Sequence, residues 1–171
     1  ADSIKAMCTA FRVPADGICV DRTGNGAGVH DILKATRGYE RTNGVNFFQA
    51  ASKMKILDED EGPAEETCHR MDSELAISAR EWILYKYAWI NPDYSHNELA
   101  AQLSGRKTYT DRKKRRVESK KDYKARNQDH SPNKSDAFCL CIHQARVKFA
   151  PLIQSVITTA GVRAAVGHDS K

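Results

Sequence analysis

The chain alternates short apolar runs with polar breaks, and each run carries either a helical or a strand period. Ile4 to Phe11 has helical spacing and is broken by Pro14-Ala15-Asp16-Gly17. The run Ile18-Cys19-Val20 is short, apolar and bounded by turn residues, the pattern of a buried strand, and it ends at Asp21. A turn rich in glycine follows, Arg22 to Gly28, and then Val29, Ile32 and Leu33 recur at helical steps. Strand, turn and helix make the first part of a βαβ unit. Gly44 to Phe48 is the predicted second strand, parallel to the first if the crossover obeys the usual rule.

Further along, Asp58 to Glu66 is acidic, is broken by Gly62-Pro63 and reads as an exposed loop. From Glu65 to Trp89 the residues Met71, Leu75, Ala79, Trp82, Ile83 and Tyr87 predict one long amphipathic helix, ended by Asn91-Pro92-Asp93. A short helix over Asn97 to Leu103 leads to Gly105. Arg106 to Glu118 carries Tyr109 and Val117 among charges and is expected to form two strands turning near Asp111 to Lys114. Ser131-Pro132 has the chemistry that opens a helix, continued by Ala137, Phe138, Cys141, Ile142 and Ala145. Phe149 to Val166 is expected to be a further helix, with a tail from Gly167; residues 1–150 form the main domain and 151–171 a C-terminal helix and tail.

Composition narrows the class. With 171 residues, 40% apolar and 29% charged, the chain is one globular domain long. No apolar run approaches the roughly 20 residues that span a bilayer, and the N-terminus lacks a signal-peptide pattern, so a cytosolic protein without membrane contact is expected. Cys8, Cys19, Cys68, Cys139 and Cys141 form an odd set without CxxC spacing and are read as reduced core thiols. No histidine pair has metal-ligand spacing.

Charge changes the picture more. Eleven Lys or Arg between Arg106 and Arg126 face three acids, a net of +8 in a chain of net +5, so the rest carries −3. A basic segment on a mildly acidic body is the footprint of a polyanion contact. Asp21, at the carboxyl end of a buried strand, faces the place where open α/β sheets bind ligands. Glycines 24, 26 and 28 permit close approach by a phosphate or another chain. Their GxGxG spacing leaves a dinucleotide site open, although no Lys-Ser/Thr pair completes a Walker A loop. Asp136 lies in the first turns of the helix opened by Ser131-Pro132, a position also favoured by the helix dipole alone.

Taken in order, ICVDRTGNGAGVHDIL, REWI, ELAAQL, RRVESKKDYKAR and SPNKSDAF resemble the successive landmarks of the nuclease domain of tailed-phage terminase large subunits. The resemblance spans almost the whole chain. It implies an α/β, RNase H-like fold with a mixed sheet flanked by helices, and metal-dependent endonucleolytic cleavage of concatemeric double-stranded DNA during viral packaging. It maps Asp21 and Asp136 onto the family's second and last catalytic, metal-binding acids. Hard carboxylate ligands favour Mg²⁺ or Mn²⁺, in a two-metal site whose ions lie ~4 Å apart. Lys120 and Lys121 resemble the family's Ser-Lys element together with Ser119; with Arg112, Lys113, Lys114, Arg115 and Arg116 they are the expected DNA-binding residues. Asp31 is a secondary candidate for assisting the metal.

In one respect the chain departs from the family. Nothing corresponds to the strand that bears the first acid, and the sheet is therefore expected to be incomplete. No Walker A loop represents the ATPase motor, so the chain is expected to be a fragment, a split gene product or the ordered part of a longer chain. Implied partners are DNA, the terminase small subunit and the portal protein, with a homo-oligomer at the procapsid portal in the host cytoplasm. Two other readings compete: a catalytically silent DNA-binding or motor-docking fragment, and a nucleotide-binding α/β protein using the turn after Asp21.

Overall fold

The fold was obtained as a computed structural model, in which residues 1–57, 59–90 and 97–148 are described. The expected helix after Phe149 lies outside them, as does the Asn91-Pro92-Asp93 stop. Helix α1 (Asp2–Ala10) and a 3-10 turn (Ala15–Gly17) lead into strand β1 (Cys19–Asp21). Helix α2 (Gly26–Lys34) then crosses to β2 (Asn43–Val45), which lies parallel to β1 with Asp21 opposite Val45. The predicted strand–turn–helix–strand unit is thus present. Gly24 turns the chain with φ of 64°, and a Cβ on Gly26 would meet the Asp21 carbonyl oxygen at 1.7 Å. The close approach that Gly26 allows is between α2 and the chain's own strand.

The long helix expected over Glu65 to Trp89 is two helices, α3 (Ala64–Thr67) and α4 (Met71–Leu84). Between them the backbone is extended: Cys68 bridges to Arg115, and the His69 amide donates to the Arg115 carbonyl at 2.9 Å. Two backbone contacts with a neighbouring strand override the helical period. Nor is α4 a surface helix. Met71, Leu75 and Ala79 pack with Val45, Phe47, Cys139, Leu140 and Ile142, whereas Ile77 joins a second cluster with Ala51, Ile56, Leu57, Ala64 and Cys68. Trp82 touches both clusters and donates its indole N–H to the Ile56 carbonyl at 3.2 Å.

Helix α5 (Asn97–Gly105) precedes an antiparallel hairpin, β3 (Thr108–Asp111) and β4 (Lys114–Val117), where the sequence places it. Among the described residues β1 and β2 form one two-stranded sheet and the hairpin another. Helix α6 (Lys120–Arg126) is capped by Ser119, whose Oγ accepts the Asp122 amide at 3.1 Å. The last described helix, α7, covers residues 133–148. Two of its first-turn amides, those of Lys134 and Ser135, donate to Oε1 of Gln102 at 2.9 and 3.0 Å, so α5 caps it from outside. Ser131, the expected cap, instead donates to the Asn133 side chain.

Burying α4 on several sides puts polar groups in the interior, and each needs a partner. Glu74 is fully buried and forms an ion pair of 2.9 Å with Arg146 on α7. The Glu74 carboxylate also accepts from Ser52 Oγ at 2.7 Å and the Ser52 amide at 2.5 Å. Arg146 donates further to Ser78 Oγ at 2.8 Å and the Lys55 carbonyl at 2.7 Å. Next to it, burial holds the His143 imidazole below its ordinary range, reinforced by the charge of Arg146 and only partly opposed by Glu74. Burial also pushes the Cys19 and Cys139 thiols up to about 12. All five cysteines are free, but only Cys8, Cys68 and Cys139 are buried, and Cys141 is exposed on α7 rather than in the core.

Two outcomes follow from this interior. Arg146→Met strands Glu74 as an unpaired buried charge, and its expected cost, read from the urea midpoint, is about 3–5 kcal/mol; Lys134→Ala, breaking the exposed pair with Glu98, should cost less than about 1 kcal/mol. His143 titrates lower folded than unfolded, so its contribution to stability is fully present above the unfolded value near 6.5 and is lost as pH falls through the folded value. The urea midpoint should fall between pH 7.5 and pH 5.5, and by less in His143→Gln.

Candidate functional site

A cavity of about 300 Å³ opens at the carboxyl end of β1. Asp21, Thr23, Phe47 and Phe48 line one side, Arg70 and Asp72 from the start of α4 another, and Arg106 with Ser119, Lys120 and Lys121 the third. Local chemistry explains how the first side forms. The Thr23 amide donates to Asp21 Oδ1 at 2.7 Å, and Thr23 Oγ1 accepts the Phe47 amide at 3.1 Å, which fastens the turn after β1 to the residues after β2. The Phe47 carbonyl in turn accepts the Asp72 amide at 3.0 Å.

Asp136 lies against this cavity through two of its cations. Oδ1 accepts from Arg106 Nη1 at 2.9 Å, and the Lys120 ammonium stands 2.7 Å from Oδ2. Both Arg106 and Lys120 line the cavity that Asp21 lines. The two acids named from the sequence therefore adjoin one pocket, Asp21 directly and Asp136 behind its basic partners. Asp136 is 5% exposed, and Oδ2, despite the nearby ammonium, receives no well-directed hydrogen bond. Arg106 is also held by the Glu118 carbonyl at 3.0 Å. Arg126 grips the Glu118 carboxylate with two bonds of 2.9 and 2.6 Å and holds it below the usual carboxylate range.

Asp72 was not singled out from the sequence. It lines the cavity at 6% exposure, paired with Arg70 at 2.7 Å and accepting from Ser73 Oγ at 3.0 Å. Its signal was an acid in the first turn of an apolar helix, which resembles an ordinary dipole partner. Asp31 is elsewhere: it is exposed on α2, 3.8 Å from Arg22, and does not line the cavity.

The basic segment divides into inward and outward groups. Lys114 Nζ donates to the Glu65 carbonyl at 2.6 Å, and Arg115 stands 3.6 Å from Glu81. Arg116 is half-buried and sits opposite Tyr109 across the hairpin. Arg112 and Lys113 are the two residues of the turn, with φ of 47° and 70°. Long side chains are poor choices for that backbone, where Asn-Gly is favoured, so their charges stand at the tip at some conformational cost. Lys120 and Lys121 occupy the first turn of α6, where cations oppose the helix dipole; Lys120 is offset by Asp136.

Carboxylate oxygens suit a hard divalent cation. As arranged, however, Asp136 has both oxygens beside cations, and the described residues contain no cluster of three or more His, Cys, Asp or Glu able to hold a metal. These residues do not form a ready-made metal site.

No family model matches the chain, and no curated protein matches it. Among solved structures, the fold matches the nuclease domain of the large terminase subunit gp2 of bacterial virus Sf6, with a TM-score of 0.51 and 18% identity. The match covers 73% of this chain and 64% of that one, so the chain spans less than two thirds of that domain's length. The chain thus has the RNase H-like α/β fold of a terminase nuclease domain, with small sheets flanked by helices.

The geometry separates the two acids by their structural weight. Asp136→Asn leaves the buried Arg106 without its full counter-charge and should lower stability by about 3 kcal/mol in urea unfolding. Asp21→Asn keeps an oxygen for the Thr23 amide and should change it by less than about 0.5 kcal/mol. Equal losses for both would show that Asp136 is not held by charge.

Proposed function

We propose that the cavity is the hydrolytic centre of a DNA endonuclease that cuts concatemeric double-stranded viral DNA during packaging. The observation that carries this reading is the meeting, at the carboxyl end of β1, of Asp21 with the Arg106 and Lys120 that hold Asp136. The fold match supports it, since the protein matched is a terminase nuclease domain. Phosphodiester hydrolysis needs groups that hold a phosphate, stabilise charge on its oxygens and take a proton from water. Lys121 and Lys120 would hold the phosphate from the cavity rim, and Arg112 and Lys113 would grip the backbone further along the duplex. A divalent Mg²⁺ or Mn²⁺ with Asp21 and Asp136 among its ligands belongs to this proposal, and Asp136 must part from a cation before it can serve. The same reading places the protein in the host cytoplasm, transiently at the procapsid portal. Its partners there would be the small subunit, the portal protein and further copies of itself.

A second reading has an observation of its own. With both Asp136 oxygens beside cations, the domain would be a catalytically silent DNA-binding or motor-docking module.

Measuring DNA binding and cutting on the same preparation separates the two. Slow Mn²⁺-dependent nicking of supercoiled plasmid is expected, reduced on the order of a hundredfold or more by Asp21→Asn. The salt dependence of duplex binding should have its slope lowered by about two in the Arg112→Ala/Lys113→Ala variant, near 0.9 per lost phosphate contact, and by less in Arg115→Ala. Salt-dependent binding with no cutting in any divalent metal would favour the silent module, and loss of both would end either reading.

A further inference from the structure

Two adjacent phenyl rings line the cavity, and they differ in what they do for the fold. Phe47 is 6% exposed and belongs to the apolar core, with the Lys120 ammonium 5.8 Å from its ring centre. Phe48 is 64% exposed and joins neither core cluster, yet it lines the cavity. One face of its ring lies under the Arg70 guanidinium, 5.3 Å from the centre, and Arg70 is itself fixed by the buried Asp72 at 2.7 Å. With so much of the residue exposed, the opposite face is open. The backbone here is fastened on both sides: the Phe48 amide donates to Asn46 Oδ1 at 2.9 Å, and the Gln49 carbonyl accepts the Met71 amide at 3.0 Å. A ring so exposed contributes little burial to the fold. What it presents is a preorganised aromatic face beside a basic pocket.

Charge narrows what could lie on that face. Lys121 lines the same cavity, is exposed and forms no ion pair among the described residues, whereas Arg70, Arg106 and Lys120 each have an acid beside them. A planar apolar face next to an unengaged ammonium suits a ligand that is aromatic at one end and anionic at the other, which is the chemistry of a nucleotide. At about 300 Å³ the cavity is at the small end of ligand pockets, and in an intact duplex each base face is covered by its neighbours. We propose that Phe48 stacks one unpaired DNA base while Lys121 holds the adjoining phosphate, so that the cavity takes a single-stranded or locally opened stretch of the substrate. The proposal rests on the hydrolytic reading of the cavity and names the form of DNA that enters it. Arg70 backs the ring and adds cation–π attraction from behind. The grip of Arg112 and Lys113 on a duplex backbone is separate and does not depend on Phe48.

Fluorescence anisotropy with the full chain in EDTA tests this, using a labelled single-stranded oligonucleotide, the same strand made abasic, and the blunt duplex. Phe48→Ala should weaken binding of the single strand roughly tenfold, the usual loss for one stacked base, and duplex binding by less than about twofold. Phe48→Leu, apolar but without a π face, should behave like Phe48→Ala, and Phe48→Trp should stay within about threefold of the parent. The abasic strand carries the same phosphates, so the parent and Phe48→Ala should bind it alike. Lys121→Met should weaken every strand and lower the salt slope by about one, which separates its phosphate contact from stacking. Because Phe48 is exposed, its variants should keep the parent's urea midpoint. If Phe48→Ala leaves single-strand binding unchanged, or weakens single strand, abasic strand and duplex equally, the stacking role is wrong. The hydrolytic reading then stands if the duplex is bound and Asp21→Asn reduces cutting. If the parent binds none of the three DNAs, both fall.

Discussion

A carboxylate and a guanidinium can be buried together only when each finds the other and every remaining hydrogen-bonding position is filled. Glu74 and Arg146 meet that demand with Ser52, Ser78 and the Lys55 carbonyl. The network joins α4, the segment around residues 52–55 and α7, which are otherwise linked mainly by apolar contact and by the Trp82–Ile56 hydrogen bond. Because such contact is not directional, the ion pair is what sets the rotation of α4 against α7. With that rotation set, Asp72 at the start of α4 and Asp136 near the start of α7 both come to the region at the carboxyl end of β1. The candidate site therefore inherits its geometry from a pair that takes no part in it.

Around the cavity the recurring device is an acid held by a base within reach: Asp72 by Arg70, Asp136 by Arg106 and Lys120, and Glu118 by Arg126. Each arrangement lowers the cost of keeping charge in a low-dielectric place. Asp21 differs, being partly exposed and holding only the Thr23 amide among the bonds described. That leaves it as the acid around the cavity whose loss is expected to disturb the fold least. The hairpin shows the complementary arrangement, with Lys114 and Arg115 docked on the body so that the tip can carry Arg112 and Lys113 outward. A basic segment of +8 is in this way part internal framework and part exposed surface.

The βαβ unit, the hairpin and the opening of α7 were legible in the sequence because each is set by neighbours within a few residues. Turn residues bound the Ile18–Val20 run, Arg112-Lys113 falls midway between two pairable strands, and Pro132 cannot continue a preceding helix. The resemblance of successive motifs, rather than either residue alone, also singled out Asp21 and Asp136 as a pair. What the sequence could not disclose depends on contacts between distant segments. The break at Cys68 comes from a strand nearly fifty residues further on, and the cap of α7 comes from Gln102 on another helix. Whether α4 faces solvent was decided by Arg146, since Ser73, Glu74 and Ser78 read as a polar surface until a buried partner is found for them. Asp72 remained hidden for the same reason. The availability of Asp136 was likewise a tertiary matter, because only the folded chain brings Arg106 and Lys120, thirty and sixteen positions away, to its two oxygens. Local sequence determines which elements form, through short-range sterics and periodicity; the balance of buried charge belongs to the assembled interior, where electrostatic partners are chosen by distance in space.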